Sequence, residues 1–379
     1  MLNFSPKYID RVKITPSNLI TYQYYVGDMP RIASSRSLEN LNYSKNKEDM
    51  SKKASRRLML AMDWMLLIAR EKYAMNMKKN KLFKYKLSLI TLTLPCAQFH
   101  SDNFIKKHLL NQFLTRLRKE YQLCNYIWKA EKQYNGNIHF HVVIDKYIYF
   151  KELNHIWNHI LKTHGYIAQY RINQINHHKD GFTPRPELYP FWSYNSQLKA
   201  YKEGWRSNWE NPVGTSDIHS LKKIKNARAY LAKYLTKNPD KSKAFSYACK
   251  EYRELNHVKT IPDTVLNNIR SVIKDKLKLE GNLWYICRNL SKVKGTTADI
   301  EGPIKKELEL MLSNFKDKIL QLDNCCVFKF NIYELLKYKF TALFNCLKEY
   351  CMKLREFFYP PGELERYSLG IPLPIFEKN

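Results

Sequence analysis

The sequence predicts an α+β protein built on an antiparallel sheet flanked by helices, and three observations carry that expectation. Strand-like and helix-like runs mix along the chain without the regular strand–helix–strand alternation of a parallel sheet. Asn135-Gly136 separates two strand-like runs, 125–134 and 137–146, and is the strongest short hairpin signal in a sequence. Hydrophobic residues make up 44% of the 379 positions, so a packed core is feasible and disorder is not the default.

In chain order, residues 1–50 read as polar and irregular. Over 49–73, Leu58, Met62, Met65, Leu66 and Ala69 share one helical face. The run 87–94 reads as a buried strand ended by Pro95. Residues 102–121 form an amphipathic helix opened by Ser101-Asp102 as a cap. The two hairpin strands follow, then a helix over 151–163 and an alternating run, 166–175, that predicts another strand. The stretch 176–215 is rich in Pro, Asn, His and Trp and reads as a long loop or insertion, of a length that suits a functional segment. A helix is expected over 217–237 and a further strand over 283–288. The remainder, above all 332–358, is helical and basic. The chain thus divides into an N-terminal extension (1–50), a main domain (51–290) with an insertion near 176–215, and a helical basic C-terminal region (291–379).

Lys and Arg number 64 against 35 Asp and Glu, a formal charge of +29. Charge of that size resists compaction and suits a polyanionic partner, DNA or RNA first. An AT-rich genome also inflates Lys, Asn, Tyr and Ile. The opening residues lack the apolar core of a signal peptide. The most apolar stretch, Leu58 to Ala69, is interrupted by Asp63 and too short to span a bilayer, so no membrane association is expected. The eight cysteines form no C-x-x-C pair, and Cys325-Cys326 and Cys346/Cys351 lack zinc-site spacing. They read as reduced thiols of a cytoplasm, the host's if the gene is viral. No G-x-x-x-x-G-K-[ST] occurs, so no nucleotide cofactor is expected. On a duplex, strand separation would come from supercoiling or a partner helicase.

The first constellation with chemical content is Asn137-Ile138-His139-Phe140-His141-Val142-Val143-Ile144. Period two on a strand puts His139 and His141 on one face and Ile138, Phe140 and Val142 on the other. Two such imidazoles can converge on a cation. Glu131, on the partner strand, offers a third ligand, and the turn decides whether it reaches. A two-residue loop pairs Glu131 with Phe140, on the wrong face. A three-residue loop, with Gly136 left-handed, pairs it with His139. The need for a carboxylate at an otherwise neutral cation site predicts the longer loop; failing it, Gln133 or a water is next. The bland alternative is a surface glutamate between Lys129 and Lys132.

The second constellation is Ala229-Tyr230-Leu231-Ala232-Lys233-Tyr234-Leu235-Thr236-Lys237. On a helix Tyr230 and Tyr234 are neighbours, each with a lysine three residues on. With 27 tyrosines such pairs arise by chance, Tyr166/Tyr170 being another, so this motif is weak alone. The third is the strand Ile90-Thr91-Leu92-Thr93-Leu94-Pro95. It means little in isolation.

In this order and combination, Leu89-Ile90-Thr91-Leu92-Thr93, Ile138-His139-Phe140-His141-Val142-Val143 and Tyr230-Leu231-Ala232-Lys233-Tyr234 resemble the three motifs of the HUH endonucleases. They are closest to the two-tyrosine rolling-circle replication initiators of small single-stranded DNA bacteriophages and related plasmids. The resemblance covers about 50–290. It implies an HUH/RRM-like core, a five-stranded antiparallel sheet with the His pair on a central strand and the tyrosine helix across it. It further implies that His139, His141 and Glu131 hold Mg²⁺ or Mn²⁺, and that one tyrosine attacks the origin to leave a 5′-phosphotyrosine and a 3′-hydroxyl that primes a host DNA polymerase. The second tyrosine then cuts the remade junction, and Lys233 contacts phosphate or assists the leaving oxygen. Arg228 and Lys237 beside the tyrosines, and Trp205 and Arg206 in the insertion, are the expected DNA contacts. There Trp192, Trp205 and Trp209 interleave with Arg185, Lys199, Lys202 and Arg206 in a pattern that stacks single-stranded bases. His155/His159 lack the glutamate of H-E-x-x-H and read as a surface pair; His177-His178 are better suited to DNA than to metal. Two rival readings are a relaxase or transposase sharing the His pair, against which the two tyrosines weigh, and a non-catalytic basic nucleic-acid-binding protein.

Overall fold

A computed structural model describes residues 7–26, 51–76, 80–185, 191–212, 214–221, 241–322 and 325–359. These fall into two compact units, one drawn from both ends of the chain (through residue 84 and from 286 onward), the other from 85–285. In chain order the first unit contributes β1 (Lys7–Ile14), β2 (Leu19–Val26), α1 (Lys52–Ile68), β3 (Lys72–Asn76) and β4 (Lys81–Tyr85). The second follows with β5 (Leu87–Leu92), a helix α2 over 102–121, β6 (Tyr126–Lys132), β7 (Ile138–Ile144), α3 (Phe150–Thr163), α4 (Tyr166–His177), α5 (Tyr194–Arg206), β8 (Ser216–Leu221), α6 (Lys241–Asn256), α7 (Asp263–Lys276) and β9 (Trp284–Ile286). The first unit resumes with α8 (Arg288–Ser291), β10 (Thr296–Asp299), α9 (Gly302–Asn314), β11 (Ile319–Leu322), β12 (Cys325–Phe328), α10 (Ile332–Lys337) and α11 (Thr341–Phe358). The protein is α+β, with five-stranded antiparallel sheets flanked by helices, as the sequence predicts.

The sheet of the second unit runs β8-β5-β7-β6-β9, antiparallel at each of β8–β5, β5–β7 and β7–β6. β7, IHFHVVI, is buried along its whole length, and β5 nearly so, so both faces of the sheet are covered. On one face lie Phe140, Val142, Ile90 and Trp128, with Trp128 edge-on to Phe140 at 6.2 Å. Helix α2 begins at Ser101, whose hydroxyl accepts from the Phe104 amide at 3.2 Å, so the sequence-read cap is real. Its second turn, Ile105–Leu110, is π-helical. Phe113 of α2 meets Trp157 of α3 edge-on, and the Trp157 indole N–H donates to the Thr93 carbonyl at 2.9 Å, tying α3 to the end of β5.

Several expectations need correction. The run 166–175 is helix α4, not a strand. Gly165, at φ +81°, breaks α3 and restarts the chain, and Tyr166 stacks on Phe99 at 4.3 Å, so tertiary contact overrides the alternating pattern. The helix expected to open near Asp217 is, over 216–221, the edge strand β8, in which Ile218 is buried while Asp217 and His219 are exposed. The insertion 176–215 is not a bare loop, since α5 occupies much of it. Residues 1–50 are not wholly irregular and the C-terminal region is not wholly helical. β1 and β2, joined by a Thr15–Asn18 turn, sit inside a fully antiparallel sheet ordered β10-β1-β2-β12-β11, around Val12, Ile14, Leu19 and Phe328. All eight cysteines are free. Among the described residues no helix is long and apolar enough to cross a membrane.

Candidate metal centre

The β6–β7 hairpin takes the longer of the two forms. Gln133 N–H donates to Asn137 O at 2.9 Å and Gly136 N–H to Gln133 O at 2.8 Å, leaving Tyr134, Asn135 and Gly136 as the loop. Gly136 sits at φ +86°, the left-handed position that a three-residue hairpin loop requires. The Asn135 side chain accepts from the Asn137 amide at 3.0 Å, which closes the turn. One consequence propagates up the ladder: Glu131 lies directly across from His139, and Lys129 across from His141. Glu131, His139 and His141 therefore share a face.

Their ligand atoms all lie within 4.8 Å of one another, and they are the one His/Cys/Asp/Glu cluster among the described residues that could hold a metal ion. The rings of His139 and His141 are edge-on, 4.6 Å between centroids. His141 Nε2 and Glu131 Oε1 are 3.1 Å apart. His139 and His141 are only 8% and 3% exposed. His139 Nδ1 is buried with no hydrogen-bond partner among the described residues, an unmet need that a cation meets.

Burial, with help from His141 and against the pull of Glu131, lowers the His139 pKa from 6.5 to about 4, so the imidazole is neutral and ready to ligate at neutral pH. For Glu131 burial works toward protonation, but the hydrogen bond to His141 and the positive potential of His141, His139 and Lys129 outweigh it and hold the carboxyl below its usual value. One ionised carboxylate and two neutral imidazoles with open space between them is a donor set that fits Mn²⁺, and Mg²⁺ less well.

A second set of contacts fixes the hairpin from behind. Gln98, in the loop after β5, accepts from the Ile138 amide at 2.7 Å, and its own backbone N–H donates to Asn137 Oδ1 at 2.9 Å. Asn137 Nδ2 donates to Cys96 O, and Gln98 Nε2 to Asp102 Oδ1 at 2.7 Å. Asp102 also takes the ammonium of Lys132 at 2.7 Å, a nearly fully buried ion pair. Each bond anchors the residues just before His139 to the start of α2.

The surface-glutamate alternative fails, because the lysines that flank Glu131 are buried. Lys132 is bound to Asp102 on the far face, and Lys129, 4% exposed, shares the face of the histidines. In register, Lys129, His141, Thr91 and Asp217 form one row across four strands. Sequence reading missed Lys129 as part of this face; its period-two spacing from Glu131 was the available signal. Trp205 and Arg206 lie exposed on α5, whereas Trp209 is buried. His178 is buried against Trp209, stacked at 5.2 Å and 10°, rather than presented to solvent. Tyr230, Lys233, Tyr234, Arg228 and Lys237 lie outside the described residues.

No curated protein and no solved structure matches the chain. Residues 87–239, which hold β5 through β8 and the clustered Glu131, His139 and His141, match the model of the family described as Replication-associated protein ORF2/gene 2 protein.

Proposed function

We propose that this protein initiates rolling-circle replication by nicking and rejoining single-stranded DNA at an origin through a 5′-phosphotyrosine. The observation that carries the reading is the Glu131/His139/His141 cluster on one face of a five-stranded antiparallel sheet, within the segment that matches a replication-associated family. A Mg²⁺ or Mn²⁺ ion held by those three residues supplies charge screening at the scissile phosphate. The phenolic oxygen of Tyr230 or Tyr234 bonds to phosphorus while the P–O3′ bond breaks, and the 3′ oxygen receives the proton that the phenol gives up. The phosphodiester energy is kept in the tyrosyl ester, so rejoining needs no ATP. Lys233 lies between the tyrosines in sequence and meets the phosphate; Arg228 and Lys237 bind the strand on either side. The freed 3′-hydroxyl primes a host polymerase, and a host helicase opens the duplex.

The test is incubation with Mn²⁺ and single-stranded DNA spanning the origin of the replicon that encodes the protein, resolved on a denaturing gel. A covalent adduct is expected on the fragment that carries the 5′ phosphate at the cut. His139→Ala should slow its formation and the double change Tyr230→Phe/Tyr234→Phe abolish it. An adduct that survives the double change refutes the tyrosine mechanism, and cleavage without any adduct leaves a metal nuclease.

A further inference from the structure

Helix α5 carries two adjacent stripes. At about 100° per residue, Tyr194, Leu198 and Trp205 fall on one line of its surface, and Lys199, Lys202 and Arg206 on the next. Apart from the half-buried Leu198, all of these are exposed. A groove of about 290 Å³ runs along the helix between Leu198 and the basic row, with Asn195 and Glu203 also in its wall.

The platform is built before anything binds it. Trp209 lies buried under the helix, and Gly204 makes the room: a Cβ at that position would come within 2.2–2.5 Å of the indole. Trp205 meets Trp209 at 6.3 Å and Tyr201 at 6.4 Å, both edge-on, yet stays 42% exposed. Ser193 caps the helix by accepting from the Ser196 amide. Gln197, itself buried, accepts from the Arg185 amide at 2.8 Å and donates to the Trp192 carbonyl at 3.3 Å, which fixes the flanking segments and the exposed Trp192. Rings held this way lose little freedom when a ligand stacks on them.

We propose that this face of α5 binds single-stranded DNA, with bases stacked on Trp205 and Tyr194 and phosphates along Lys199, Lys202 and Arg206. A duplex would use the basic row alone, since its bases are already stacked. An acidic peptide would pair with the lysines and leave the flat rings idle. A single strand uses both stripes. The surface stands independently of the nicking reading; only the choice of DNA over RNA rests on it.

The experiment titrates fluorescein-labelled oligothymidylate with the full-length protein in EDTA, where no metal-dependent cleavage enters the signal, and follows anisotropy. Trp205→Ala should weaken binding roughly tenfold, with Trp205→Phe recovering most of it. Lys202→Glu with Arg206→Glu should weaken binding and flatten its salt dependence. A duplex of the same length should be indifferent to Trp205→Ala. Unchanged oligothymidylate affinity in Trp205→Ala overturns the proposal, as does an equal loss for duplex, and tighter binding of oligouridylate overturns DNA as the occupant. A melting temperature in Trp205→Ala equal to the parent's ties the loss to the contact. Binding here without any tyrosine adduct at the origin would refute the nicking reading and leave this surface standing.

Discussion

At the scale of single residues, the site is a competition between protons and a cation for three side chains. His139 resists protonation because it is buried, its pKa falling from 6.5 to about 4. A group whose folded pKa is depressed below its unfolded value costs stability as the pH falls through that window, because the unfolded chain takes up a proton that the folded one refuses. In EDTA the protein should therefore lose roughly 2–3 kcal/mol between pH 6.5 and pH 4 on this account, and His139→Asn should lose correspondingly less; urea midpoints at the two pH values measure the difference. Above that window the cluster is set for metal. Calorimetry should find Mn²⁺ bound more tightly than Mg²⁺, because Mg²⁺ strongly prefers oxygen and water to imidazole. Glu131→Ala should weaken Mn²⁺ by roughly tenfold or more; equal affinity for both ions, or no effect of Glu131→Ala, would exclude this ligand set. Glu131 was legible in the sequence, because a hairpin's register follows from its turn. The burial of Lys129 was not, since lysine is ordinarily exposed and what covers a strand face comes from elsewhere in the chain.

At the scale of elements, Gly136 sets the register that makes the cluster. An alanine there would adopt a left-handed backbone that a side chain disfavours, and its Cβ would meet the Lys276 side chain at 2.6 Å. Gly136→Ala should cost about 1–2 kcal/mol and also weaken Mn²⁺, because strain relieved by slipping toward a two-residue loop turns Glu131 away. Gly136→Asn, which tolerates that backbone, should retain more of both; a Gly136→Ala protein with the parent's stability and Mn²⁺ affinity would show that the turn does not set the register. The elements read correctly, β5, β6, β7, α2 and α3, carry their signals within a few residues: a cap at Ser101, a hairpin at Asn135-Gly136, a stop at Pro95. Those misread depend on distant partners. β8 is a six-residue edge strand, Ser-Asp-Ile-His-Ser-Leu, and only its pairing with β5 makes it one. α4 alternates like a strand, and only Gly165 and the Phe99 stack make it a helix. β1 and β2 do show period-two burial about a Pro16-Ser17-Asn18 turn, but in a basic, polar context the pattern is faint.

At the scale of the molecule, the unit formed by 85–285 contains the whole candidate metal centre and the α5 platform and is one continuous piece of chain. Expressed alone it should unfold cooperatively and bind Mn²⁺ like the parent; an 85–285 fragment that is unfolded by circular dichroism would show that the two units are not separable. Ending the chain at 285 should do the opposite damage, because β1 and β2 then lose β10 and β12 as partners. The same arrangement has a consequence in time. β2 is complete at Val26, while β12, the strand it pairs with, begins at Cys325, about 300 residues later. At ~5–20 residues per second a ribosome needs about 15–60 s to bridge that gap. Throughout that wait the apolar face around Val12, Ile14 and Leu19 and the open edge of β2 stand without their partners, while 85–285 emerges and can fold first. The hazard is one of scheduling rather than of final stability, so cells short of chaperones that shield nascent chains should yield this protein as aggregate even where the finished molecule, once made, is sound.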